Sequence, residues 1–166
     1  MATEFKIDGL AELDKELKQF PMRVQKNVLR GAVRAGSGVI VKEARRLAPK
    51  ETGDLRRSIN TRNPRIEGKL VIGGLRAGGK QKGKPNVFYA HMIEFGTKGH
   101  VIKPNKKRGK KAITFDNGVF SSANHPGIRP QPFMRTAMDL TTQDALHKVA
   151  QYIRERMQKE RLKNAG

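Results

Sequence analysis

A long stretch enclosed by two prolines constrains the fold of this chain more than any other feature. Pro21 precedes the stretch and Pro49 follows it, so the sequence predicts one uninterrupted helix from about Met22 to Leu47. Apolar residues recur along it at helical spacing on two stripes, and two stripes require two packing partners. The stripes are Val24, Val28, Ala32, Ala35 and Val39, and Leu29, Val33, Ile40, Ala44 and Leu47.

Three glycines interrupt this helix at Gly31, Gly36 and Gly38. A glycine inside a helix costs up to about 1 kcal/mol relative to alanine, because its backbone loses more conformational freedom. The glycines therefore indicate close approach of a neighbouring helix, or a bend.

Two further helices flank the chain. The first is predicted from Leu10 to Phe20, with Asp8 as its N-cap. The last begins in the region from Pro130 to Phe133 and continues to about Leu162. Its apolar face contains Phe133, Ala137, Leu140, Leu146, Val149, Ile153 and Met157.

The middle of the chain is rich in β-formers. Leu55 to Arg62 and Ile66 to Ile72 are predicted to pair as an antiparallel hairpin, with its turn at Asn63-Pro64. The short apolar segment from Phe88 to Phe95 is compatible with either a helical turn or a strand, and Gly96 is placed to terminate a turn.

A second hairpin is expected further along the chain. Ala112 to Phe115 forms one strand and Val119-Phe120 the other, joined by the turn residues Asp116-Asn117-Gly118. The order of helix, helix, strands and helix predicts an α+β fold, in which long N-terminal and C-terminal helices pack on a mostly antiparallel sheet. Residues 1–166 are expected to form a single domain.

The charge is strongly unbalanced, with 35 Lys plus Arg against 15 Asp plus Glu and a net charge of +20. This excess predicts a polyanionic or acidic partner. It is concentrated in two glycine- and lysine-rich stretches, residues 76–86 and 103–111, which are expected to be flexible loops. The alternative is that they are solvated loops that only keep the protein soluble. The candidate polyanion- or partner-binding residues are Arg76, Lys80, Lys82, Lys84, Lys103, Lys106, Lys107, Arg108, Lys110 and Lys111.

The sequence contains few residue patterns typical of enzymes. The chain has no cysteine, no nucleophile–base motif and no phosphate-binding glycine motif, so no cofactor, metal or catalytic residue is predicted. His91 and Glu94 could share a helical face as metal ligands or an acid–base pair, but a structural role is favoured. No apolar run is long enough to cross a bilayer, and synthesis in the cytosol is expected.

Three local patterns occur in order along the chain. The first contains Ala44, Leu47, Ala48 and Pro49, followed by Thr52, Gly53, Asp54, Leu55, Arg56, Arg57, Ser58 and Ile59. The second contains Tyr89, Ala90, His91, Ile93, Glu94, Phe95, Gly96 and Thr97. The third contains Pro130, Gln131, Pro132, Phe133, Met134, Arg135, Thr136 and Ala137. Together they resemble the neck and tail-completion family of long-tailed double-stranded DNA bacteriophages, over roughly residues 5 to 160.

The resemblance implies a structural protein of the virion, made in the host bacterial cytoplasm. It implies assembly as a ring, or onto a ring, between the head connector and the tail tube or terminator. DNA passing through the channel is a further possible partner. The sequence departs from the family in its basic insertions, Arg76 to Lys84 and Lys103 to Lys111. A nonspecific nucleic-acid-binding protein is the alternative function, supported by the charge, and an enzyme is the least favoured.

Overall fold

The computed structural model describes residues 9–68, 70–79, 86–104, 112–115 and 118–164. The helices are α1 (Leu10–Lys18), α2 (Met22–Leu47), α3 (Asp54–Ser58), α4 (Ala90–Phe95) and α5 (Phe133–Asn164). The strands are β1 (Asn60–Glu67), β2 (Leu70–Arg76), β3 (His100–Ile102), β4 (Ile113–Phe115), β5 (Gly118–Phe120) and β6 (Ala123–His125). All strand pairs are antiparallel, and the predicted α+β class is confirmed.

The chain divides into two compact units. The first unit consists of Met1–Phe88 together with Phe133–Gly166, and the second consists of Tyr89–Pro132. In the first unit, α2 packs against α5 and against both strands of the β1–β2 hairpin. The predicted helix from Met22 to Leu47 is confirmed at both ends, and it has the two packing partners that its stripes require. One core cluster contains Leu13, Leu17, Phe20, Val28, Ala32, Ala150, Ile153 and Met157.

Two of the three helical glycines lie where α2 meets α5. A Cβ atom on Gly31 would collide with the ring of Tyr152, and one on Gly36 would lie 2.7 Å from Cγ2 of Val149 and 2.9 Å from the carbonyl oxygen of Ala145. The prediction of close helix approach is therefore confirmed at these two positions. It is wrong at Gly38, where a Cβ atom would have no neighbour within 4 Å.

Helix α1 begins at Leu10, as predicted, but ends before Phe20, at Lys18. Gly9 occupies its N-cap position with a left-handed backbone (φ 80°), and none of the side chains that the structure describes caps the helix. Asp8, the predicted cap, lies outside the described residues. Phe20 is nevertheless buried in the core cluster.

The first hairpin differs from its prediction in its turn. The strands are β1 and β2, and Gly68 lies at the turn with a φ of 61°, so the predicted turn at Asn63-Pro64 is wrong. Asn63 and Pro64 instead form a bulge inside β1, where the register shifts between Arg62 and Arg65. A bulge accepts proline because the missing N–H removes no hydrogen bond from a regular ladder.

The predicted strand from Leu55 is also wrong over its first residues, which form the short helix α3. Gly53 precedes this helix with a φ of 73°, and the Asp54 backbone N–H donates to the Thr52 hydroxyl oxygen at 3.3 Å. The Ser58 hydroxyl donates to the Leu55 carbonyl at 2.6 Å and accepts from the Gly78 N–H at 2.8 Å. Turn chemistry at residues 52–54 thus outweighs the β propensity that follows it.

The second unit contains α4 and two small two-stranded sheets, β3–β6 and β4–β5. The ambiguous segment from Phe88 to Phe95 forms a helix over its last six residues. Gly96 ends this helix with a φ of 72°. The predicted second hairpin is confirmed by the pairing of β4 with β5, on which the rings of Phe115 and Phe120 lie 6.0 Å apart.

Helix α5 confirms most of its predicted face. Phe133, Ala137, Ile153 and Met157 are buried, but Leu140 is 62% exposed, so its prediction as a core residue is wrong. The small residues Ala137 and Ala145 are buried on either side of it in sequence, and Ala145 lies close to α2 at Gly36. The buried side of the helix therefore does not pass through Leu140. None of the described helices meets the length and hydropathy needed to cross a membrane.

Candidate interaction surface

The structure describes two of the ten basic residues predicted to bind a partner. Arg76 is the last residue of β2 and is exposed in the first unit. Lys103 follows β3 and is exposed in the second unit. The other eight lie outside the described residues, namely Lys80, Lys82, Lys84, Lys106, Lys107, Arg108, Lys110 and Lys111.

A different set of basic residues comes together on the β1–β2 hairpin. One face of the hairpin lies on α2, where a Cβ atom on Gly73 would meet the side chain of Val33. On β1, Arg62 pairs with Gly74 and Arg65 pairs with Ile72. Since their partners are two residues apart on β2, the two arginines lie on the same face, although they are three residues apart on β1. The bulge at residues 63–64 produces this alignment.

A shallow depression of about 390 Å³ lies beside these arginines. It is lined by Arg62, Asn63, Arg65, Ile72, Gly73, Gly74 and Leu75. Gly74 has no side chain that could cover the backbone of β2 at this point. A Cβ atom at Gly74 would approach only the Arg62 side chain, at 3.8 Å. The depression therefore combines arginine side chains with accessible backbone.

A second depression, of about 560 Å³, adjoins the first along α2. Its lining residues are Asn27, Arg30, Gly31, Arg34, Ala35, Asn63, Pro64 and Tyr152. Arg34 donates from Nη2 to Oδ1 of Asn63 at 2.5 Å, and Asn63 lines both depressions. Arg30, Arg34, Arg62 and Arg65 thus form one continuous patch, which we call the arginine surface.

Other arginines of the first unit are held by the chain's own carboxylates. The Arg46 guanidinium donates hydrogen bonds to Glu43 and lowers the pKa of that carboxyl. The Arg57 guanidinium donates to Asp54 at 2.5 Å and lowers the pKa of Asp54, with a further contribution from a side-chain hydrogen bond with Thr52. Both carboxylates are therefore charged at neutral pH and neutralise their arginine partners.

The arginine surface lacks such neutralisation. Within the described part of the chain, the side chains of Arg30, Arg62 and Arg65 have no hydrogen-bond or ion-pair partner, and the Arg34 side chain bonds only to the neutral Asn63. Glu67 is exposed at the end of β1, opposite Leu70, and is the acid nearest to Arg65 along that strand. The surface therefore presents a net positive charge to an incoming ligand.

The pair considered for metal binding or catalysis lies on α4. Glu94 is buried, with 8% exposure, whereas His91 is exposed. No group of three or more His, Asp or Glu side chains that could hold a metal ion occurs among the residues that the structure describes. The structural role that the sequence favours for this pair stays a prediction.

Sequence reasoning missed the arginine surface for an identifiable reason. Arg30 and Arg34 lie four residues apart in α2, so their shared exposed face was visible in the sequence. Arg62 and Arg65, however, fell on opposite sides of the predicted turn. Pro64 inside a β-rich stretch was the signal that could have indicated a bulge.

Comparison with known proteins identifies the family. Residues 11–96 match the family model HK97-gp10_like, described as "Bacteriophage HK97-gp10, putative tail-component". The match is longer than half the chain and includes α2, β1, β2 and the whole arginine surface. Searches of curated proteins and of solved structures gave no match. The family resemblance of the sequence is confirmed, and the chain belongs to the HK97-gp10-like family of bacteriophage tail components.

Proposed function

We propose that this tail component acts at the head–tail junction as a neck or tail-completion protein. It assembles as a ring, or onto a ring, between the head connector and the tail tube or its terminator. Membership of a phage tail-component family supports its location in the virion. We propose in addition that it is synthesised in the host bacterial cytoplasm.

The observation that carries this proposal is the exposed apolar surface of the second unit. Among its described residues, only Ala90 and Glu94 are buried. Phe95, Val101 and Val119 are 70%, 51% and 67% exposed. The other large apolar side chains left exposed there are Phe115, Phe120 and Ile128.

Such a unit gains stability from a partner. Its strands are three residues long, and isolated two-stranded sheets are marginally stable in water. Full burial of a large apolar side chain contributes about 1.5–3 kcal/mol, so covering several of them stabilises the unit substantially. Six large exposed apolar side chains in a unit that buries only two of its described residues favour a protein that functions within an assembly.

Light scattering distinguishes this function from the alternative, a nonspecific nucleic-acid-binding protein, which the net charge of +20 favours. We expect multi-angle light scattering of the purified chain to show oligomers without DNA, because the apolar surface of one copy can be covered by another. A chain that remains monomeric until duplex DNA is added would favour the alternative.

The ten basic residues predicted in the segments 76–86 and 103–111 are proposed to contact acidic surfaces of adjoining neck and tail proteins. Replacing Lys106, Lys107, Arg108, Lys110 and Lys111 together by serine should reduce the joining of heads to tails, while leaving retention on DNA at physiological salt unchanged. A ring that gripped DNA through many lysines would hinder passage of the genome, since each phosphate contact adds salt-dependent affinity.

Joining is measured by in vitro complementation of heads and tails, and DNA retention by filter binding. The control for net charge is a variant that lacks equally many exposed lysines outside the arginine surface, at Lys15, Lys18, Lys50, Lys159 and Lys163. If the serine variant joined heads to tails normally but was no longer retained on DNA, its five replaced residues would be assigned to DNA binding. No change in either assay would leave them as solubilising residues.

We also expect no nuclease or hydrolase activity. The chain offers no nucleophile–base motif, and the described residues form no metal-binding cluster. Incubation of the pure protein with plasmid DNA and Mg²⁺ should leave the plasmid intact. Metal-dependent cleavage that disappears in His91→Ala and Glu94→Gln variants would refute this prediction.

A further inference from the structure

We propose that the arginine surface binds an acidic, partly apolar surface of a different phage protein in the junction. The inference rests on the proposed function and adds to it a specific docking site and the chemistry of its partner. The site contains none of the ten basic residues predicted from the sequence and lies wholly within the first unit.

The residue type favours carboxylates. All four cations of the arginine surface are arginines, although the chain has abundant lysine. A guanidinium presents a planar fork of N–H donors that matches the two oxygens of a carboxylate, whereas an ammonium acts as a point charge. The guanidinium groups of Arg62 and Arg65 have no hydrogen-bond or ion-pair partner among the described residues, so their donors are available to such a ligand.

The apolar residues of the same hairpin face favour a protein over DNA. Leu70 is 66% exposed and Ile72 is 39% exposed, and Ile72 pairs directly with Arg65. A phosphate backbone offers these side chains no apolar contact, and protein–DNA interfaces are more polar and more positive than protein–protein interfaces. Arginines around exposed apolar side chains are instead typical of protein interfaces.

The charge of the surface itself favours a different protein over a second copy. Two copies that met through this surface would bring two sets of four arginines together, none of them paired with a described carboxylate. An acidic partner removes this repulsion, whereas a second copy increases it.

Two fluorescent peptides test the partner chemistry. In the first, glutamates alternate with leucines, and in the second, every leucine is replaced by serine at the same net charge. Fluorescence anisotropy should show that the leucine peptide binds more tightly. The Arg62→Ser/Arg65→Ser variant should weaken its binding by about tenfold or more, because two charge-assisted contacts are lost. Leu70→Ser/Ile72→Ser should weaken it by about threefold to tenfold.

Lys15→Ser/Lys159→Ser is the matched control, since it removes the same charge from exposed positions of α1 and α5 outside both depressions. It should leave peptide binding within about twofold, because remote surface charges are screened by salt. Circular dichroism melts establish that each variant is folded.

Three results would overturn the inference. Equal binding of the two peptides, or equal loss in the control variant, would show that only net charge attracts them. Tighter binding of duplex DNA, lost in the arginine variant and unchanged in Leu70→Ser/Ile72→Ser, would identify a phosphate ligand. Oligomers of the purified chain that dissociate in the arginine variant would identify a second copy. Head–tail joining is measured separately, so failure of this site and failure of the proposed function are distinguishable.

Discussion

Phe133→Ala should lower the free energy of unfolding by about 3–5 kcal/mol. Phe133 is the first residue of α5 and only 3% exposed, so its ring is almost fully removed from water. Replacing it by alanine loses the transfer free energy of the ring and leaves a cavity that surrounding side chains fill only in part. Urea denaturation followed by circular dichroism measures the change.

Leu140→Ala is the matched control for Phe133→Ala. It also shortens a large apolar side chain of α5, but Leu140 is 62% exposed, so we expect a change within about 0.5 kcal/mol. Replacing Lys82, which belongs to the basic stretch 76–86, should likewise have almost no effect on the free energy of unfolding. Equal losses of stability in Phe133→Ala and Leu140→Ala would contradict the assignment of Phe133 to the core.

Two glycine substitutions in α2 should have opposite effects on stability. Gly38→Ala should raise the free energy of unfolding by up to about 1 kcal/mol, because alanine favours the helix and its methyl group meets no neighbour within 4 Å. Gly36→Ala should lower it by about 1–3 kcal/mol, because the same methyl group would lie 2.7 Å from Val149 and 2.9 Å from the carbonyl oxygen of Ala145.

Chemical denaturation of both variants measures this difference. In the Gly36→Ala background, Val149→Ala should cost less stability than it does alone, because it removes one of the two clashes. The backbone oxygen of Ala145 remains, so the rescue should be partial. If both glycine variants were equally stabilised, the close approach of α2 and α5 at Gly36 would be wrong.

The predictability of each element follows from how local its determinants are. The bounds of α2 were predictable because Pro21 and Pro49 act on their immediate neighbours. The turn of the first hairpin was not, because proline is common both in turns and at bulges. Only the pairing of β1 with β2 distinguishes the two, and that pairing depends on how the hairpin fits against α2.

The difference between local and tertiary determinants also explains what was predictable of α5 and of the arginine surface. Helical spacing placed Leu140 on the core face with Phe133, but which part of a helix is covered depends on the position of its neighbours. The loop cations were evident from composition, whereas the arginine surface depends on a bulge that aligns Arg62 with Arg65 and on Asn63, which connects them to α2. A binding surface that is assembled by tertiary contacts cannot be predicted from runs of charged residues in the sequence.

The discontinuity of the first unit affects the order in which the chain can fold. Helix α5 follows the entire second unit in sequence, yet α2 packs most extensively against it. During synthesis, the α5-facing stripe of α2 therefore stays uncovered until more than eighty further residues have left the ribosome. Contacts between residues so far apart in sequence form slowly. Until they form, the exposed apolar stripe of α2 can aggregate or be bound by chaperones. Supplying α5 early, as a circularly permuted chain would, should speed folding without changing a single native contact.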